Sequence, residues 1–149
     1  MPSAPMNLLL VDDDPVSREI LRKILESLLK HTVTVAKDGE EGWHIVRDSG
    51  KVFDAAFIDI QMPGVDGLQL AELIRTGGLA NPPPIILCTA LADRPTVAKA
   101  ASLGIRHYLL KPCSPAKVLE KLQAAVGVVA SPPDRAAEPS SGGPTLVAL

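Results

Sequence analysis

The sequence is poor in the residues on which several protein classes depend. Its 149 residues include only two Cys, one Trp, one Tyr and two Phe. Two cysteines, Cys88 and Cys113, cannot supply a disulfide framework, and their spacing fits neither a metal motif nor a redox pair. Both read as packing residues. With 3% aromatic content the chain has few rings to stack on bases. An excess of either charge is also missing: 15 Lys+Arg face 17 Asp+Glu, a net charge of -2. That balance leaves no basic stripe to neutralise phosphates, so direct DNA or RNA binding is not expected. No apolar run approaches the roughly 18 residues of a membrane span. The N-terminus lacks a basic n-region, and its apolar run from Leu8 to Val11 stops at once in Asp12, Asp13 and Asp14, which excludes a signal peptide. The expectation is a soluble, cytoplasmic protein without a membrane partner.

What the chain does have is 46% hydrophobic content in a length typical of one domain, enough to build a core without disulfide or metal staples. Short apolar runs alternate with helical periodicities. Leu8 to Val11, Val33 and Val35, Ala55 to Ile58, Ile85 to Cys88 and Tyr108 to Leu110 read as five strands. Val16, Ile20, Ile24 and Leu28 recur every four residues, the spacing of one helical face. Asp14 can cap that helix and Pro15 suits its first turn. Further helices are predicted over Gly39 to Asp48 with Trp43 and Val46, near Leu68 to Arg75, over Thr96 to Ser102, and over Pro115 to Val126. This alternation predicts an α/β, doubly wound fold with a parallel sheet covered on both faces. From about Val128 the pattern dissolves into Pro, Ala, Ser and Gly, which predicts a domain over 7–127 followed by a disordered tail or linker over 128–149.

Conspicuous polar residues fall just after predicted strands: Asp12, Asp13 and Asp14 after the first, Asp59 after the third, Thr89 after the fourth and Lys111 after the fifth. In a parallel sheet these carboxyl ends share one edge, where open α/β proteins bind ligands. Crowded carboxylates repel one another unless a cation neutralises them. Oxygen donors without a Cys or His cluster favour a hard ion such as Mg²⁺. Lys111 adds a point charge and Thr89 a hydroxyl, both suited to phosphate. Phosphoryl transfer onto a carboxylate follows as the expected chemistry.

The strings Leu8-Leu-Leu-Val-Asp12-Asp13-Asp14-Pro15, Asp59-Ile-Gln61-Met62-Pro63-Gly64-Val-Asp66-Gly67, Thr89-Ala90 and Lys111-Pro112 resemble the signature set of response-regulator receiver domains of two-component phosphorelay signalling. The resemblance covers about Asn7 to Val126. It implies a flavodoxin-like sheet of five strands in the order 2-1-3-4-5 with five helices, and a signalling switch rather than an enzyme. It implies that Asp59 accepts a phosphoryl group from a phosphohistidine on a sensor histidine kinase or a histidine phosphotransfer protein. Asp13 and Asp59 would bind Mg²⁺ through side chains and Gln61 through its backbone carbonyl, while Asp12 would bind it through water or position the site. Lys111 would pair with the phosphoryl oxygens, ahead of a cis peptide at Pro112. Thr89 and Ala90 would meet the phosphoryl group, and Tyr108 holds the aromatic switch position. The fourth helix, fifth strand and fifth helix would then present a changed face to a downstream effector, or form a phosphorylation-dependent dimer. Gln61 and Leu91 hold the positions that this family associates with phosphoryl lifetime, and an apolar Leu91 cannot orient a hydrolytic water, which implies slow self-dephosphorylation.

Other residues have plainer readings. Asp66-Gly67 reads as a turn into the third helix, with Met62-Pro63 shaping the loop. His31, His44 and His107 follow no ligand spacing and read as solvated or packing residues, and Trp43 reads as core. Two competing functions remain. Asp12-Asp13-Asp14-Pro15-Val16 also fits the opening motif of haloacid-dehalogenase-like phosphatases, with Asp12 as nucleophile and Asp14 as acid/base, but that family needs an acidic pair downstream of its lysine, and Asp59 would have no role. A receiver fold that signals without phosphorylation is the other. Retaining so many repelling charges argues against it. A single-domain regulator is expected, with the receiver segment of a larger regulator or hybrid kinase as the alternative.

Overall fold

A computed structural model describes residues 5–90 and 94–127. The expected tail over 128–149 and Leu91 lie outside the described residues. The chain runs β1 (Asn7–Val11), α1 (Pro15–Lys23) leading directly into a π-helical turn (Ile24–Leu28), β2 (Thr32–Ala36), α2 (Gly39–Asp48), β3 (Ala55–Asp59), α3 (Gly67–Thr76), β4 (Ile85–Thr89), α4 (Arg94–Ser102), β5 (His107–Leu110) and α5 (Pro115–Val126). The strands form one parallel sheet in the order β2-β1-β3-β4-β5. The order, the strand count and the five helices agree with the sequence expectation.

Parallel strands need long crossovers, and the helices that supply them cover both faces of the sheet. The strands are therefore apolar on both sides rather than alternating. Leu8 and Leu10 pack with Leu21, Leu25, Phe57, Ile86, Val118 and Leu122 on one face. Leu9 and Val11 pack with Ile58, Leu70, Ile74 and Leu87 on the other. Each such side chain contributes about 1.5–3 kcal/mol on burial, so the central strands dominate the stability of the fold.

The helix starts are fixed locally. Asp14 accepts from the Ser17 amide at 3.1 Å, Asp38 from Glu41 at 2.8 Å and Ser114 from Lys117 at 3.2 Å. Asp66 and Gln69 form a reciprocal capping box at 2.9 Å in each direction, which confirms the expected turn into α3. The helix α4 starts at Arg94, two residues before the predicted Thr96, with Pro95 in its first turn.

One sequence expectation is corrected. Val16, Ile20 and Leu28 do not join Ile24 in the core: they are 67%, 50% and 60% exposed, and the packing face of α1 is made by Leu21, Ile24 and Leu25. Steps of four residues advance about 40° past a full turn, so four such positions fan across the helix surface. The π turn adds further rotation before Leu28. Trp43 packs partly buried against the core, as expected. Cys88 is buried, and burial pushes its thiol pKa well up. His31 accepts a hydrogen bond from the Met6 amide at 3.0 Å, and His44 lies on an exposed helix face beside Asp48. Among the described residues no helix is long and apolar enough to cross a membrane.

Candidate functional site

The strand order makes β1 and β3 neighbours at the centre of the sheet, with Val11 paired to Ile58. Asp12 and Asp13 leave the end of β1, and Asp59 is the last residue of β3. One carboxylate oxygen from each of the three lies within 4.8 Å of the others. Lys111 follows β5 and reaches back across the edge, donating to Asp12 Oδ2 at 3.0 Å and lying 3.4 Å from Asp59 Oδ1. The Lys111–Pro112 peptide is cis. Topology thus collects four charged groups from three widely separated stretches of the sequence.

Asp12 is 1% exposed and Asp59 6% exposed, so the surrounding medium screens their charges poorly. Burial pushes the Asp59 carboxyl up to about 6; Lys111 opposes that rise, while Asp12 and Asp13 add to it. Burial works against the Lys111 ammonium, but its hydrogen bond to Asp12 and the attraction of both carboxylates prevail and raise its pKa. One ammonium facing three carboxylates leaves the pocket short of positive charge. Three hard oxygen donors at this separation fit a divalent ion such as Mg²⁺, which takes one or two carboxylates and completes its shell with other oxygens.

Asp12 is more than a ligand candidate. Its Oδ1 accepts from the Asp14 amide at 2.9 Å while its backbone carbonyl accepts from Arg18 Nη1 at 2.9 Å. With Lys111 on Oδ2, the side chain is anchored at both carboxylate oxygens and the backbone by Arg18. Asp14 is exposed and occupied in capping α1, which deprives the phosphatase reading of its acid/base residue. The loop after β3 carries exposed Gln61 and returns to α3 at Gly67, whose amide donates to the Ile60 carbonyl at 2.9 Å. A Cβ at Gly67 would lie 2.6 Å from the Ile60 Cα and closer still to the Asp59 carbonyl, so only glycine permits this approach.

Thr89 ends β4 and is 1% exposed, with exposed Ala90 next to it. Tyr108 is not drawn to the carboxylates. Its hydroxyl lies 3.4 Å from the carbonyls of both Val97 and Ile105, between α4 and the start of β5. Two features beside the site escaped the sequence reading. Arg18 has no motif to mark it, and its role appears only when α1 folds over the β1 end. Exposed Val16 and Ile20, from the apolar four-residue spacing of α1, join Ala90, Lys111, Pro112 and Cys113 along a groove of about 320 Å³.

Residues 8–123 match the family described as the response regulator receiver domain. The chain belongs to that family. Among curated relatives, the Arabidopsis thaliana two-component response regulator ARR12 is 37% identical over 110 residues, covering 72% of this chain but only 17% of that protein. The Helicobacter pylori chemotaxis protein CheY1 is 31% identical over 122 residues, 82% of this chain and 98% of that protein. A solved receiver domain of sensor histidine kinase PA1611 from Pseudomonas aeruginosa PAO1 superposes with a TM-score of 0.73 at 30% identity, covering 83% of this chain and 99% of that one. That receiver carries a magnesium ion coordinated in its active-site cleft.

Proposed function

We propose that this receiver is a phospho-accepting switch in which Asp59 takes a phosphoryl group from a phosphohistidine of a sensor histidine kinase or histidine phosphotransfer protein. The observation that carries this reading is the convergence of Asp12, Asp13 and Asp59 within 4.8 Å, faced by one ammonium. An Asp59 carboxylate oxygen attacks phosphorus, the P–N bond to the donor imidazole breaks, and the imidazole departs with the bonding pair. Asp12, Asp13 and Asp59, with the Gln61 carbonyl, would hold Mg²⁺, which when bound neutralises charge on the transferring phosphoryl group. Lys111 pairs with a phosphoryl oxygen, which its place 3.4 Å from Asp59 allows. Thr89 and Ala90, at the adjoining strand end, provide a hydroxyl and an amide for the remaining oxygens.

The donor docks on the groove of Val16, Ile20, Ala90, Pro112 and Cys113, the exposed apolar surface that borders Lys111. The phosphorylated pocket is read on the α4–β5–α5 face, where Tyr108, Val97 and 57%-exposed Leu110 flank a groove of about 370 Å³. Residues 7–127 form the receiver and 128–149 a tail or linker. The near-complete coverage of CheY1 favours a cytoplasmic single-domain regulator. The short share of ARR12 favours the second reading, a segment of a larger regulator or hybrid kinase. Leu91 and Gln61 set a slow self-dephosphorylation, and a Leu91→Glu variant whose aspartyl phosphate decays at the wild-type rate refutes that point.

The deciding experiment is labelling with acetyl phosphate and Mg²⁺, read by intact mass and peptide mapping. A phosphoryl adduct on Asp59 that is lost in Asp59→Asn is the expected result. Labelling that persists in Asp59→Asn and is lost in Asp12→Asn supports a phosphatase instead, and an unlabelled wild type supports a passive interaction module.

A further inference from the structure

The opposite edge of the sheet carries a second cluster of charge that the phosphoryl chemistry does not use. A cleft of about 250 Å³ opens there, lined by Arg75 near the end of α3, by Pro84 before β4 and by Gly104, Ile105, Arg106 and His107 leading into β5. Its charged lining is of one sign. Among the described residues no carboxylate contributes to it, and Lys121 of α5 adds positive field: the His107 ring is pushed down first by burial and then by Lys121 and Arg106.

Three other arginines of the described residues have partners. Arg18 donates to the Asp12 carbonyl, Arg22 pairs with Glu19 and Glu26, and Arg47 pairs with Asp48. Arg75 and Arg106 make no ion pair or side-chain hydrogen bond among the described residues. The backbone is shaped around one of them. Gly104 has a φ of +78°, and a Cβ there would lie 2.9 Å from Arg75 Nη2. A glycine in this conformation lets the guanidinium lie against the loop instead of being turned away. Guanidinium forks match oxyanions that offer two acceptor oxygens, and a cleft lined by one sign of charge concentrates counter-ions.

We propose that the cleft formed by Arg75, Gly104, Arg106 and His107 is a binding site for a small oxyanion, a phosphate or a dicarboxylate, distinct from the phosphoryl pocket. The two guanidinium groups supply the charge-assisted hydrogen bonds, and the glycine loop supplies the room. The site goes beyond the switch reading and does not depend on it, because none of its residues takes part in transfer to Asp59.

The test is a titration of the full chain with inorganic phosphate, and separately with succinate, at constant ionic strength held with chloride, read by amide NMR shifts. Saturable shifts centred on Gly104, Ile105, Arg106 and His107 are expected with at least one probe, and the probe that binds more tightly tells a phosphate ligand from a carboxylate one. Arg75→Gln and Arg106→Gln, at exposed positions, should each weaken binding about tenfold, the loss of one charge-assisted contact. Asp59→Asn should leave it unchanged, which separates this site from the phosphoryl pocket. The proposal is overturned by shifts that do not saturate with either probe, by shifts centred on Thr89 and Lys111, or by binding that both glutamine variants retain.

Discussion

Replacing Asp59 with Asn in metal-free protein removes one charge while nearly preserving volume, and the structure sets the size and pH dependence of the effect. The Asp59 carboxyl is pushed from 3.8 to about 6, first by burial and then by Asp12 and Asp13 against the pull of Lys111. Holding that carboxylate ionised in the fold therefore costs up to about 3 kcal/mol. Solvent at the pocket mouth screens part of this, and roughly half, about 1.5 kcal/mol, is the figure to test. Below about pH 4 the carboxyl is protonated in both folded and unfolded chains and the penalty is absent. Between about pH 4 and 6 the unfolded chain gives up its proton first, so wild-type stability falls as pH rises; above 6 the penalty is complete. Asn does not titrate, so the stability of Asp59→Asn relative to wild type should rise by about 1.5 kcal/mol from pH 4 to 7.5. Urea unfolding in a chelator, at several pH values, measures the difference. Added Mg²⁺ should then stabilise wild type more than the variant. A gap that stays constant or narrows with rising pH would mean that Lys111 compensates Asp59 fully, and the account of a charge-deficient pocket would be wrong.

Three other outcomes follow from the geometry. Asp14→Ala should lower stability by about 1 kcal/mol through loss of the α1 cap, measured by urea unfolding, while acetyl-phosphate labelling of Asp59 proceeds at the wild-type rate; loss of labelling would restore Asp14 to the chemistry. Gly67→Ala should cost about 2 kcal/mol or more, since its methyl meets the Asp59 carbonyl and the Ile60 Cα, and thermal unfolding together with labelling should show both stability and phosphorylation impaired. Ile20→Glu, on the exposed face of α1, should slow transfer from a phosphohistidine donor at least about tenfold yet leave acetyl-phosphate labelling intact, and equal slowing with both donors would place the defect in the pocket rather than in docking.

The strands were legible because a doubly covered parallel sheet demands unbroken apolar runs, and Leu8 to Val11 or Ala55 to Ile58 can hardly be read otherwise. The acidic edge was legible for the complementary reason: Asp12, Asp13, Asp59 and Lys111 interrupt those runs where the strands end. The orientation of α1 was not. Spacing alone gives a face but not what it faces, and Val16 and Ile20 look the same in sequence whether they meet a core or a partner. Arg18 and the Arg75–Gly104 cleft were hidden because each depends on tertiary approach. No local pattern announces that a guanidinium will lie against a left-handed glycine from another loop.

The hydrogen bond from Lys111 to Asp12 joins residues 99 positions apart. A chain emerging from the ribosome therefore exposes all three carboxylates well before it can offer their ammonium. Until β5 is laid against β4, the pocket is a cluster of repelling acids without the Lys111 counter-charge. The charge balance of the pocket is therefore set only once β5 is in place.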